Sequence, residues 1–122
     1  MDNPVGWFEI YVQDMKRAKA FYEATLGVEL SKLDSPGMDM LAFPMKPEGS
    51  GASGALIKMK GFESGANSVL VYFVCDDCAR EAAKAVKAGG KLFKEKRAIG
   101  EHGFIALILD TEGNMVGLHS MK

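Results

Sequence analysis

Apolar and polar positions change their period twice in each half of the chain. Trp7 to Val12 (WFEIYV) is a short run of aromatic and branched residues, the pattern of a strand. Asp14 follows where an N-cap is wanted, since its carboxylate can accept from the free N–H groups of a first helical turn. Met15, Ala18, Phe21, Tyr22 and Thr25 then recur at helical spacing, and Gly27 closes the element where left-handed backbone is required. The pattern predicts three further strands, around Val28–Leu33, Met38–Met45 and Ser53–Lys60. Pro36-Gly37 and the breaker-rich Pro47-Glu48-Gly49-Ser50-Gly51 separate them.

The same order of elements then recurs. Ser68 to Cys75 (SVLVYFVC) predicts a strand, Asp77 can cap a helix running through Ala88, and Gly89-Gly90 end it. Segments around Lys91–Lys96, Phe104–Leu109 and Met115–His119 follow, the last two joined by Asp110-Thr111-Glu112-Gly113-Asn114. Asp77 stands 63 residues (77 − 14) after Asp14, and the same offset places Arg80 on Arg17, Gly90 on Gly27 and Gly117 on Gly54. Asp76 and Gly89 align on Asp14 and Gly27 almost as well, so the register of the second half stays open by one residue. This predicts one α+β domain over residues 1–122, made of two tandem β-α-β-β-β modules (about 5–60 and 68–120) joined by 61–67. One helix covers one face of a short sheet, so two such sheets are expected to curve as one mixed sheet around a concave cleft suited to a ligand.

Composition removes several functions. With 122 residues, 48% hydrophobic, 25% charged and a formal net charge of -1, the chain has no basic footprint for nucleic acid. No apolar run reaches the ~20 residues of a membrane helix, and Met1-Asp2-Asn3-Pro4 lacks the character of a secretory signal. The cytoplasm is the expected location.

The string WFEIYVQDMKRAKAFYEATLG and the ending DTEGNMVGLH carry a resemblance. Together with the repeat, they resemble the glyoxalase/bleomycin-resistance/dioxygenase superfamily, also called vicinal oxygen chelate proteins, over nearly the whole chain. The resemblance implies a homodimer, since members often pair modules across chains. It also implies where a divalent ion would be held in metal-dependent members, by His and Glu side chains on the strands. The first such position, seven residues before the capping Asp, is Trp7, and its counterpart is Leu70, or Val69 if the register slips. The carboxylate of the last strand falls at Gly117, and its counterpart at Gly54. None of these side chains can ligate, so no metal and no other cofactor is expected.

Strand alternation places Trp7, Glu9 and Tyr11 on one face, Leu70, Tyr72 and Val74 on one face, and Gly117, His119 and Met121 on one face. If the ligand positions mark the cleft, Glu9, Tyr72 and His119 point into it beside Trp7, and counting from Gly54 adds Lys58. Trp7 and Tyr72 would then supply flat apolar surface, while Glu9, His119 and Lys58 orient a polar group of a small organic ligand. Acid–base chemistry by Glu9 or His119 is the catalytic form of this site. The bland form is a carboxylate and an imidazole satisfied by neighbours in a half-buried sheet.

Other motifs are weaker. Cys75-Asp76-Asp77-Cys78 has the spacing of a redox pair, but the repeat sets both cysteines on apolar packing positions, and the aspartates oppose thiolate formation. Gly49-Ser50-Gly51-Ala52-Ser53-Gly54 matches a dinucleotide loop with no helix signal after it. Lys91–Arg97 predicts an edge strand with solvated lysines. His102 falls in a glycine-flanked loop, and Met38, Met40 and Met45 fill core or cleft. The reading is a metal-free binder of a small molecule. The alternatives are a lyase, isomerase or dioxygenase with a non-standard metal site, and a structural or partner-binding module.

Overall fold

The computed structural model describes every residue except Met1, Asp2, Pro4, Pro47 and Ser50, so the expectations resting on those five lie outside the described residues. In chain order the elements are β1 (Trp7–Tyr11), α1 (Met15–Leu26), β2 (Ser31–Leu33), β3 (Asp39–Ala42), β4 (Ser53–Lys58), β5 (Tyr72–Val74), α2 (Cys78–Lys87), β6 (Lys91–Ala98), a 3₁₀ turn at Gly100–His102, β7 (Phe104–Leu109) and β8 (Met115–Ser120). This is the expected α+β order of two tandem modules. The strands divide into two four-stranded mixed sheets, β1-β4-β3-β2 and β5-β8-β7-β6, in each of which one parallel pair stands beside antiparallel ones.

Local chemistry sets the helix ends where expected. The Asp14 side chain accepts from the Arg17 N–H, and Gly27 takes φ 67° with its N–H on the Glu23 carbonyl. Asp77, not Asp76, caps α2 by accepting from the Ala79 N–H. That selects the 63-residue offset for the start of the second helix, while at its end Gly89, 62 residues (89 − 27) after Gly27, takes the positive φ of 104°.

The helix-bearing faces of both sheets meet in one core. Ile10, Phe21, Tyr22 and Leu56 of the first module pack with Cys78, Ala85, Ile108 and Leu118 of the second. Phe73 makes aromatic contacts with Phe8, Tyr22 and Phe43, so one ring of module two is clasped by three of module one. Each fully buried Leu, Ile or Phe here contributes roughly 1.5–3 kcal/mol.

A polar clasp reinforces this seam. Glu112, buried at the β7–β8 turn, accepts from the Gln13 and Asp14 N–H groups at 2.9 Å and from Arg17 Nε at 2.6 Å and Nη2 at 2.9 Å. The neighbouring Asp110 accepts from the Tyr22 hydroxyl at 2.7 Å and from the Glu112 and Asn114 N–H groups at 2.8 Å. Asn114 donates on to the Tyr11 carbonyl at 2.9 Å. The turn of module two therefore supplies the hydrogen bonds that the start of α1 lacks.

One expectation shifts. The strand expected from Ser68 begins only at Tyr72. Before it, the Asn67 side chain stands in for backbone, accepting from the Met115 N–H and donating to the Met115 carbonyl, both at 3.1 Å. The glycine-rich run after Pro47 leads into β4, a strand paired on both sides, and not into the helix a dinucleotide site requires.

Candidate functional site

With both helices in the shared core, the opposite face of each sheet stays open. On the first sheet, cross-strand partners share a face, so Trp7, Glu9 and Tyr11 lie beside Ser53, Ala55 and Ile57. Trp7 is 40% exposed. Its indole Nε1 donates to Glu9 Oε2 at 3.2 Å, and the Tyr11 hydroxyl donates to Glu9 Oε1 at 2.8 Å. Both carboxylate oxygens are thus oriented from their own strand. The hydrogen bond to Glu9, followed by partial burial and the Glu9 charge, pushes the Tyr11 phenol above its ordinary range. Tyr11 also stacks on Phe62, with ring centroids 5.0 Å apart. Glu9 and Tyr11 open onto a recess of about 430 Å³ at the module seam, which Glu63, Asn67, Ser68 and Met115 line as well.

On the second sheet Tyr72 lies opposite Gly117, and Val74 opposite His119. The Tyr72 ring covers Gly117, where a Cβ would come within 2.2 Å of it, and the ring remains 44% exposed. His119 Nε2 donates to the His102 carbonyl at 2.6 Å, which ties the 3₁₀ turn to the end of β8. A carbonyl only accepts, so the neutral ring keeps Nδ1 as its acceptor.

Four of the five expected site residues therefore reach open faces, in two groups. Trp7 and Glu9 touch each other on the first sheet, while Tyr72 and His119 share the second. Among the described residues no hydrogen bond or ion pair joins Glu9 to His119. Lys58 does not join either group. Its partner on β3 is Asp39, and it shares a face with Leu56, which points to the core opposite Leu41. Lys58 borders a different recess, with Gln13 and Phe62. Gly54 does not mark the open face, because it pairs with Phe8 on the core side. Glu9 pairs with Ala55 as Tyr72 pairs with Gly117, so the counterpart of Gly117 is Ala55, one residue along. Tyr11 was on the expected face by period-two counting, and its hydrogen bond makes it part of the first group.

The cysteines pack. Cys78 is fully buried at the start of α2, and burial, then Glu81, pushes the Cys75 thiol up to about 12. A redox pair wants the opposite shift.

An α+β protein of two tandem β-α-β-β-β modules, open on the sheet faces away from a shared helical core, is a recognisable class. The chain belongs to the Glyoxalase/Bleomycin resistance protein/Dioxygenase superfamily, whose family model matches residues 5–118. Among solved structures it is similar to glyoxalase I from Zea mays, with 24% identity and a TM-score of 0.77 over 97% of this chain and 46% of that one. The chain thus spans about half the length of the maize enzyme. It is also similar to TnmS3, an antibiotic binding protein from Streptomyces sp. CB03234, at 23% identity and TM-score 0.70 over 98% of each chain. A glyoxalase/bleomycin resistance protein/dioxygenase family enzyme from Burkholderia phytofirmans PsJN matches at 18% identity and TM-score 0.71, over 96% of this chain and 98% of that one. At these identities the likeness is one of fold. No curated protein matches the chain.

Proposed function

We propose that the protein binds a small organic molecule on its open sheet faces without the help of a metal ion. The observation that carries this is the Trp7–Glu9–Tyr11 group: an exposed indole beside a carboxylate oriented by two donors, with Glu9 and Tyr11 lining a recess of about 430 Å³. Flat apolar surface with a few fixed polar groups is what a ligand site needs. Tyr72 and His119 serve the same ligand from the second sheet. The antibiotic-binding description of TnmS3 supports a binding role for this fold.

A divalent ion does not fit the side chains at hand. Trp7, Leu70, Gly117 and Ala55, which replaces Gly54 once the register is known, bring no donor atom. Among the described residues no three His, Cys, Asp or Glu side chains gather in a group able to hold one.

The proposed working form is a homodimer in the cytoplasm. Trp7, Tyr72, Val74 (83% exposed) and Met121 (67% exposed) leave apolar surface open, and a second copy laid over it would close the space around a ligand. The two unpaired thiols suit a reducing compartment, and among the described residues no helix is long and apolar enough to cross a membrane.

The test uses Trp7, the only tryptophan. Titration with a panel of small organic molecules is expected to shift its emission saturably, and Glu9→Gln is expected to weaken the response about tenfold, the scale of one charge-assisted hydrogen bond. Nickel, zinc, manganese and iron(II) are expected to leave the emission unchanged. One ion held per chain and lost on changing Glu9 or His119 to Ala would replace this reading with a metal-dependent enzyme.

A further inference from the structure

We propose that the open face of the second sheet recognises an amphipathic anion, its acidic group held along β6 by Lys91, Lys94 and Arg97 and its apolar body laid over Leu107, Gly117 and Tyr72. This rests on the small-molecule reading above and names the ligand class for the second-sheet part of that site.

The argument starts from spacing. Lys91, Lys94 and Arg97 stand three apart, and in a regular strand residues three apart point to opposite faces. β6 is not regular. It pairs Lys91 with Leu109, Leu92 with Ile108, Lys94 with Leu107 and Arg97 with Ile105, so its two register shifts each absorb one extra residue. Leu109, Leu107 and Ile105 are alternate residues of β7 and share one face. That face is the open one, because Leu107 lies opposite Gly117 under the Tyr72 ring. The two bulges therefore bring all three cations to the same side. Bulges re-aim side chains in this way beside binding sites, whereas guarding a sheet edge needs no such alignment.

Charge supports the assignment. Lys96 lies off this register and is paired with Asp77 at 3.0 Å. None of the ion pairs among the described residues involves Lys91, Lys94 or Arg97. The remaining open-face positions are Tyr72, Val74, Met115, Gly117, His119, Ile105, Leu107 and Leu109, and none is acidic. Three exposed cations thus border an apolar floor that offers them no counter-charge.

Geometry sets the size of the ligand. Lys94, Leu107, Gly117 and Tyr72 form one row across four strands, and Arg97, Ile105, His119 and Val74 form the next. From β6 to β5 is three strand spacings, about 14 Å. An oxyanion near Lys94 and Arg97 with a two-ring or medium-chain apolar body fills that span.

The test compares two probes with the same aromatic body by equilibrium dialysis at low and moderate salt. One is 8-anilinonaphthalene-1-sulfonate; the other, N-phenyl-1-naphthylamine, lacks the sulfonate. The sulfonate is expected to bind about tenfold tighter at low salt, with the advantage shrinking as ions screen it. Lys94→Gln combined with Arg97→Gln is expected to erase the advantage and leave the neutral probe unaffected. Lys84→Gln with Lys87→Gln, on α2, is expected to keep it. Both β6 positions are exposed, and circular dichroism verifies that the variant folds.

Equal affinity for the two probes overturns this inference and leaves the small-molecule reading standing. Binding of neither overturns both. An advantage unchanged in the β6 variant places the anion elsewhere and overturns the inference. Loss of self-association in that variant, with the advantage unchanged, assigns the cations to a second copy and also overturns it.

Discussion

Gly54 and Gly117 stand 63 residues apart, the offset of the repeat, and each lies under an aromatic ring, but the rings are on opposite sides of their sheets. The Phe8 ring over Gly54 is on the core side, packed with Phe43 and Phe73. The Tyr72 ring over Gly117 is on the open side. A one-residue difference in how the last strand meets the first is enough to produce this, because side chains alternate with a period of two. Module one turns Gly54, Leu56 and Lys58 away from its open face. Module two turns Gly117 and His119 toward it. Two copies of one architecture thus offer a ligand different surfaces, one carrying Trp7 and Glu9 and the other Tyr72 and His119.

The modules differ equally in how their helices begin, and this gives the largest effect. α1 starts against Glu112 of the other module, while α2 receives the Ser120 hydroxyl of its own sheet on the Cys78 N–H. Glu112→Ala leaves two backbone donors and the Arg17 guanidinium without their acceptor. It is expected to lower stability by roughly 3–4 kcal/mol, read from the urea midpoint at constant m-value. Burial raises the Glu112 pKa, but the Arg17 hydrogen bond, the Asp14 and Gln13 N–H groups and Thr111 outweigh it and hold the group at about 2, against an ordinary 4.5. A depressed carboxylate contributes stability that is complete above its unfolded value and is lost as pH falls through its folded value. The wild-type protein is therefore expected to lose stability between about pH 4.5 and 2, and Glu112→Ala to lose less over that window. An unchanged acid profile in the variant would show that the clasp does not hold the modules together.

The glycine pair gives the next effect and tests the comparison directly. In either alanine variant the new Cβ would fall 2.2 Å from ring carbon, so the ring must move. Phe8 is hemmed in by Phe43 and Phe73, and Gly54→Ala is expected to cost roughly 2–3 kcal/mol through overpacking. Tyr72 can swing into solvent, and Gly117→Ala is expected to cost under about 1 kcal/mol while altering ligand binding. Equal costs would mean that the two rings are equally confined and that the faces are not as distinct as described.

How much of this was legible beforehand follows from range. Asp14, Asp77 and Gly27 act on backbone within four residues, so capping chemistry located both helices. Trp7, Glu9 and Tyr11 share a face by alternation within one strand, which is enough to mark Trp7 and Glu9 as site candidates. Interactions between distant segments left no such trace. Glu112 binds Arg17 from 95 residues away, and a glutamate in a polar turn looks like any solvated one. The bulges of β6 depend on how it meets β7, so counting along β6 alone scatters cations that the sheet aligns.

Lys58 shows the same limit and supplies the smallest expected effect. Counting from Gly54 by the 63-residue offset sets it beside Glu9. The pairing of Glu9 with Ala55 puts Ser53, Ala55 and Ile57, the last two fully buried, on the face of β4 that Trp7 and Glu9 share, and Lys58 falls on the alternate side. Its exposed ammonium takes part in no ion pair among the described residues, so Lys58→Ala removes no folded-state interaction of consequence. Stability is expected to stay within about 0.5 kcal/mol of the parent, and ligand affinity read through Trp7 to stay within about twofold. Glu9→Gln, measured beside it, is expected to weaken binding. Should Lys58→Ala weaken binding as much as Glu9→Gln, the ligand must reach around the end of β4, and the site would extend past the open face toward Gln13 and Phe62.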